Sequence, residues 1–367
     1  MNWKKALDGI TPYKPGRSIE EVTRMYGLKE VVKLASNENP YGCAPSVKES
    51  LASAAIQHEI YPDGYASALR SKLTQKLGVD EEAVLFGNGS DEIIMIITRA
   101  LLGTDTNTVM ATPTFPQYAH NAKIAGAEIR EVTLKDNGQH DLEGFLKAID
   151  SETAVIWICN PNNPTGNLIP SDALEAFLGQ VPPNILVVLD EAYIEYVMAP
   201  GYIDSVTYLE QFPNVILLRT FSKAYGLASY RVGYAIGHPA VISNLNKVRN
   251  PFNNNSIGLA IAEKALDDEA FIEQCRKLNH EQRKRFKHYA DEKKLHLFDS
   301  ETNFVLIEVP NDSDDASEKL LQQGFIVRSG NALGTPGYIR VTIGSEEQTS
   351  KFLKAFDTLW QSEGSPV

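Results

Sequence analysis

Six short apolar runs, at 83–86, 108–111, 154–158, 185–189, 215–218 and 232–236, recur along the chain with longer amphipathic stretches between them. Four or five consecutive apolar residues suit a buried strand. The stretch 91–102, with Ile93, Ile96, Ile97, Ala100 and Leu101 on one face, has the helical period. Strands that are apolar throughout, instead of on alternate positions, need cover on both faces, and connections long enough to hold a helix permit parallel pairing. The alternation predicts an α/β fold: a mostly parallel sheet sandwiched by helices. In such sheets ligands gather beyond the carboxyl ends of the strands, so the residues that follow each run are where chemistry is to be sought.

After residue 250 the texture changes to a long charged helical stretch, about 257–292. Strand-like pieces follow at 303–309, 325–328 and 338–343, then a terminal helix near 346–361. The expected division is an N-terminal arm (1–30), a large domain (31–250) and a smaller C-terminal α/β domain (251–367). The chain of 367 residues carries 35 Lys and Arg against 47 Asp and Glu, a formal charge of −12. An acidic surface disfavours nucleic acid and anionic membranes as partners, so any anion must be held by a local site. Cys43, Cys159 and Cys275 are scattered and odd in number, which excludes a disulfide framework and a zinc-like spacing, and the histidines show no metal spacing. No stretch approaches the roughly 20 apolar residues of a membrane span, and the expected location is the cytoplasm.

The run 215–218 leads through Arg219-Thr220-Phe221 into Ser222-Lys223 and a glycine-containing loop, with Arg231 eight residues on. A lysine delivered by a buried strand is poorly explained as surface charge. The run 185–189 ends in Asp190-Glu191-Ala192-Tyr193. An amine nucleophile, an anion-binding arginine and a strand-terminal aspartate are the protein parts a pyridoxal phosphate site requires. Lys223 is placed to form the imine and then act as base, and Asp190 to pair with the ring nitrogen. Tyr193 and Asn163 are placed to hydrogen-bond the ring oxygen, and Phe115 to stack on the ring. Gly87-Asn88-Gly89-Ser90-Asp91, a glycine turn into a helix, offers a phosphate cradle of unpaired amides, with Ser222 and Arg231 adding a hydroxyl and a charged fork. Asp91 beside a phosphate requires its carboxylate to turn away. Each residue has a plainer alternative: Asp190 as a helix N-cap, Asn163 as a turn brace, Phe115 and Tyr193 as core aromatics.

Seven blocks then make the chain resemble the histidinol-phosphate aminotransferase family, within the fold-type-I pyridoxal phosphate aminotransferases. They are Ser36-Asn37-Glu38-Asn39-Pro40-Tyr41-Gly42, Tyr61-Pro62-Asp63, Gly87 to Glu92, Asn160 to Gly166, Asp190 to Tyr193, Thr220 to Gly226 with Arg231, and Tyr338 to Gly344. The resemblance implies that Arg340 binds the carboxylate of glutamate, that Arg328 and Tyr13 take the phosphate of histidinol phosphate, and that Tyr61 reaches the cofactor phosphate of a neighbouring subunit in a homodimer. It further implies amino transfer between L-glutamate and imidazole-acetol phosphate, giving L-histidinol phosphate and 2-oxoglutarate in histidine biosynthesis. Two departures stand out: Ser229-Tyr230 before Arg231, where a small residue and then leucine are common, and Cys43-Ala44 in place of a proline-containing continuation. An aromatic amino acid aminotransferase, a decarboxylase of a phosphorylated amino acid and a non-catalytic cofactor-sensing module are the competing functions.

Overall fold

A computed structural model describes residues 1–10, 16–53 and 59–361. Seven strands form the large sheet: β2 (Val84–Gly87), β3 (Asn107–Thr112), β4 (Glu128–Thr133), β5 (Thr153–Cys159), β6 (Leu186–Asp190), β7 (Val215–Thr220) and β8 (Gly233–Gly237), following a two-residue β1 (Val32–Lys33). Their order across the sheet is β2-β8-β7-β6-β5-β3-β4. β7, β6, β5, β3 and β4 pair in parallel, while β8 runs antiparallel to both its neighbours, β2 and β7. The mostly parallel sheet agrees with the pattern of apolar runs.

Alternate residues of each strand feed two cores. Ile156, Ile158, Val187, Leu189 and Leu217 lie on one face, and Val155, Trp157, Val188, Ile216 and Leu218 on the other. Each side chain so buried contributes roughly 1.5–3 kcal/mol. The helix Gly89–Leu101 seats Ile93, Ile94, Ile96 and Ile97 in the second of these cores. β4 is absent from the apolar runs because it is an edge strand with a half-exposed pattern, Glu-Ile-Arg-Glu-Val-Thr.

A third core belongs to β9 (Phe304–Glu308), β10 (Phe325–Ile326), β11 (Arg328–Ser329) and β12 (Tyr338–Thr342), with the helices Glu269–Lys293, Ser313–Gln322 and Glu346–Gln361. The chain reaches it earlier than residue 251. β1 pairs in parallel with β10, and Val32 and Leu34 are buried in this core. Val22, on the short helix Ile19–Tyr26, packs with Ala35, Leu321 and Ile326. The helical stretch expected at 257–292 is two helices. Ser256–Ala265 buries Leu259, Ile261 and Ala262 against the large-sheet core, and Glu269–Lys293 carries Phe286 and Ala290 into the third core. The break between them lets one stretch of sequence serve two cores that a straight helix could not reach together.

Candidate active site

The parallel strands end on one edge, and the loops that leave it enclose a cavity of about 110 Å³. β2 delivers Gly89, Ser90 and Asp91; β3 delivers Phe115; β5 delivers Cys159 and Asn163; β6 delivers Asp190 and Tyr193; β7 delivers Thr220, Ser222 and Lys223. Because β8 is reversed, its start lies on the same edge, and Arg231 enters the cavity two residues before it. A cavity of about 680 Å³ opens between the loop after β5 and the helix Glu269–Lys293, but its charges are of both signs and include the mutually paired Arg283 and Glu301, 3.1 Å apart. The chemistry-bearing residues converge in the smaller one.

One wall of the cavity is the amino end of the helix Gly89–Leu101, whose N-cap Asn88 makes no side-chain capping bond. The first amides of a helix have no acceptor within it, and here the N-cap side chain takes none of them. Gly89 has φ +71°, and a Cβ there would lie 2.6 Å from Arg231 Nη2. Gly233 is as constrained, since its Cβ would meet Ser90 N at 2.5 Å. Arg231 is itself held at φ 57°, ψ 56°, an unusual backbone for a residue with a side chain. Its Nη1 donates to Ser222 Oγ (3.3 Å) and Ala228 O (3.1 Å), and its Nη2 to Asn88 O (3.4 Å). The expectation that Asp91 turns away is corrected: its Oδ2 lies 3.4 Å from Arg231 Nη2. An acid in the first helical turn is favoured by the helix dipole, and here it also meets the guanidinium charge.

At the opposite end lie the amine and the acid. Lys223 Nζ donates to Ser36 O (3.0 Å) and stands 5.9 Å over the ring of Tyr193. Burial, assisted by the charge of Arg340, pushes its ammonium down to about 8. Asp190 is buried, and burial pushes its carboxyl up to about 6. Its Oδ2 accepts from Tyr118 Oη (2.7 Å) and its Oδ1 from the Ala192 N–H (3.2 Å). Tyr193 Oη accepts from Asn37 Nδ2 (3.1 Å) and Asn163 Nδ2 (3.3 Å), which leaves its own proton for an acceptor in the cavity. Asn163 Oδ1 in turn accepts from Arg340 Nη1 at 2.7 Å, so the buried Arg340 of β12 is joined to the cavity wall.

Comparison with known proteins bears on this geometry. A family described as aminotransferase class I and II matches residues 29–356. A histidinol-phosphate aminotransferase of Lysinibacillus sphaericus (strain C3-41) is 56% identical over 364 residues, 99% of each chain. The chain belongs to the histidinol-phosphate aminotransferase family. Another member, from Bacillus subtilis (strain 168), is 51% identical over 353 residues, 96% of this chain and 98% of that one. A solved histidinol-phosphate aminotransferase from Sinorhizobium meliloti, in complex with pyridoxal-5'-phosphate, superposes with TM-score 0.88 at 28% identity, covering 99% of this chain and 98% of that one.

In this family member the residues named from the sequence divide into three groups. Gly89, Ser90, Asp91, Phe115, Asn163, Asp190, Tyr193, Ser222, Lys223 and Arg231 line one cavity. Arg340 reaches it through Asn163, and Arg328 lies directly opposite Arg340 across the β11–β12 ladder. Tyr61 lies apart, 77% exposed and stacked on Phe252 with ring centroids 4.9 Å apart, and Tyr13 falls outside the described residues. Sequence reasoning missed Tyr118, Cys159 and Thr220, and also the buried bridge from Arg219 Nε to Glu191 Oε2 (2.8 Å) that ties the ends of β7 and β6. The position of Tyr118 in the first turn after Thr114-Phe115-Pro116 was the available signal.

The donors fit pyridoxal phosphate. An uncapped helix end, the Ser222 hydroxyl and the Arg231 fork suit a phosphate, and a cradle that a Gly89 Cβ would crowd is kept open. Asp190 is a buried acid with two neutral donors, a site that a cation would favour.

Proposed function

We propose that the chain transfers an amino group reversibly between L-glutamate and imidazole-acetol phosphate, giving 2-oxoglutarate and L-histidinol phosphate, with pyridoxal 5'-phosphate as cofactor. The observation that carries this reading is the meeting of Lys223, Asp190 and Arg231 in one cavity. When bound, the cofactor supplies a carbonyl that captures amines and a ring that holds the electrons left by a departing α-proton. Lys223 offers a partly neutral amine at neutral pH and, once displaced by the substrate amine, carries the proton from the substrate α-carbon. Asp190 holds a proton on the ring nitrogen by charge, and Tyr193 and Asn163 orient the ring oxygen. Gly89, Ser90, Ser222 and Arg231 hold the phosphate, for which Arg231 is shared with Asp91. Phe115 packs on the ring.

The substrate reading rests on Arg328 and Arg340. Residues directly opposed on a ladder project from the same face, and two like charges there are unfavourable until an anion lies between or beside them. Arg340 takes the carboxylate of glutamate, and Arg328, with Tyr13, takes the phosphate of histidinol phosphate. Phe115 and Tyr193 give the pocket an aromatic side, which favours phenylalanine and tyrosine as second substrates. Tyr61, exposed beside Phe252, Tyr65 and Ile60, completes the phosphate site of a second copy of the chain in a homodimer. Among the described residues no helix is long and apolar enough to cross a membrane.

Rapid mixing of the holoenzyme with histidinol phosphate, glutamate or phenylalanine, followed by cofactor absorbance, tests the reading. Fast conversion by the first two is expected; conversion by phenylalanine alone would make the chain an aromatic aminotransferase and remove the role given to Arg328.

A further inference from the structure

Tyr118 is wholly buried, and its hydroxyl ends on the acid of the site, donating to Asp190 Oδ2 at 2.7 Å. The ring is fixed from two sides. It stacks on Trp157 with centroids 5.0 Å apart and planes 12° apart, and it meets Phe115 edge-on at 5.6 Å and 78°. Trp157 is anchored by its Nε1–H to Thr108 Oγ1 (2.8 Å), which donates onward to Val155 O (2.8 Å). The phenol is thus held in place by packing that owes nothing to Asp190, and a hydroxyl delivered so rigidly loses little freedom when it bonds.

The groups around Asp190 make this bond consequential. Cys159 lies opposite it on β5, Glu191 and Tyr193 follow it on its own chain, Asp91 faces it from the helix Gly89–Leu101, Lys223 from the loop after β7, and Tyr118 from the helix Gln117–Ala125. Burial and the Asp91 and Glu191 charges favour a protonated Asp190; the Tyr118 hydroxyl and the Ala192 N–H favour the carboxylate. Burial and the adjoining carboxylate also push the phenol itself well up, so it keeps its proton and acts only as donor. A carboxylate that already accepts such a bond is a weaker base and competes less well for a proton on a facing nitrogen.

We propose that Tyr118 is a positioning residue that keeps Asp190 ionised, fixing the plane of its carboxylate and leaving the shared proton on the ring nitrogen of the cofactor. This rests on the reading that Asp190 pairs with that nitrogen, and the test separates the two. Tyr118→Phe keeps the stack on Trp157 and removes only the hydroxyl. In the cofactor-free protein, the Asp190 carboxyl followed by carbon NMR should then titrate roughly one pH unit higher, the tenfold loss expected when a charged group loses a hydrogen bond. In the holoenzyme, nitrogen-labelled cofactor should give a ring-nitrogen signal moved toward the unprotonated position, with kcat lowered about tenfold and KM little changed. A 3-fluorotyrosine placed at position 118 keeps the fold and is a stronger donor, so it should move both signals the opposite way. If Tyr118→Phe and the fluorotyrosine protein both match wild type while Asp190→Asn moves the ring-nitrogen signal, the proposal for Tyr118 is overturned and the role of Asp190 stands. If Asp190→Asn leaves that signal unchanged, the underlying reading fails.

Discussion

Gly233→Ala is the sharpest perturbation of the phosphate cradle, because residue 233 lies outside the cavity lining and acts on the cradle only by pressing on its backbone. The added methyl would sit 2.5 Å from Ser90 N and 2.6 Å from Gly89 C, both backbone atoms that cannot rotate away. Restoring ordinary contact requires the helix start to move by about 1 Å, which is enough to take a 2.9 Å hydrogen bond beyond useful range. Overpacking of this kind costs roughly 1–3 kcal/mol in stability. Loss of one charge-assisted bond from the displaced amides removes a further ~1.5–3 kcal/mol from anion binding alone. The expected outcome is a pyridoxal phosphate dissociation constant raised between about tenfold and 100-fold. Lys223 and Asp190 remain in place, so kcat at saturating cofactor should fall far less. Equilibrium titration of the cofactor-free protein, with its melting temperature measured in parallel, reads both effects. A variant that melts lower yet binds cofactor as wild type does would refute the assignment of the helix end as the phosphate site.

Other outcomes follow from the same geometry. With the Lys223 ammonium pushed down to about 8, the rate of cofactor capture by the cofactor-free protein should rise with pH and level off above that value; a rate still climbing steeply at pH 10 would contradict it. Asp190, raised to about 6 by burial, contributes stability that is full below its unfolded value and is lost as pH rises through about 6. Cofactor-free Asp190→Asn should therefore be more stable than wild type at pH 7.5, by up to ~3 kcal/mol, and not so at pH 4, as read by urea unfolding. Arg328→Ala should lower kcat/KM for histidinol phosphate by about 10- to 100-fold and for phenylalanine by only a few-fold; equal losses would count against its phosphate role. Arg219→Met, which strands the buried Glu191, should cost about 3–5 kcal/mol in unfolding free energy.

Why so much of the site was legible follows from topology. Residues after apolar runs had to meet, because parallel strands end on one edge, and Lys223, Asp190, Asn163 and Gly89 each follow a run. Arg231 precedes its strand and still joins them because β8 is reversed. What stayed hidden was encoded by packing instead of pattern. The edge strand β4 holds only Ile129 and Val132 among polar residues, and the helix Ile19–Tyr26 buries Val22 alone. The link from Tyr118 to Asp190 spans 72 residues and depends on which face of its helix meets Trp157, which no local spacing records. The direction of the Asp91 carboxylate was decided by Arg231, 140 residues away. Tyr230 fills the position before Arg231 without disturbing the site: it is half-buried against the large core, and its carbonyl accepts from Asn255 Nδ2 at 2.9 Å.

Borohydride reduction of the holoenzyme, followed by peptide mass mapping, tests most directly that a strand-delivered amine in this cavity holds the cofactor. A single pyridoxyl group is expected, on Lys223, and none on the Lys223→Ala protein. A pyridoxyl group mapped to another lysine, or retained after Lys223→Ala, would contradict it.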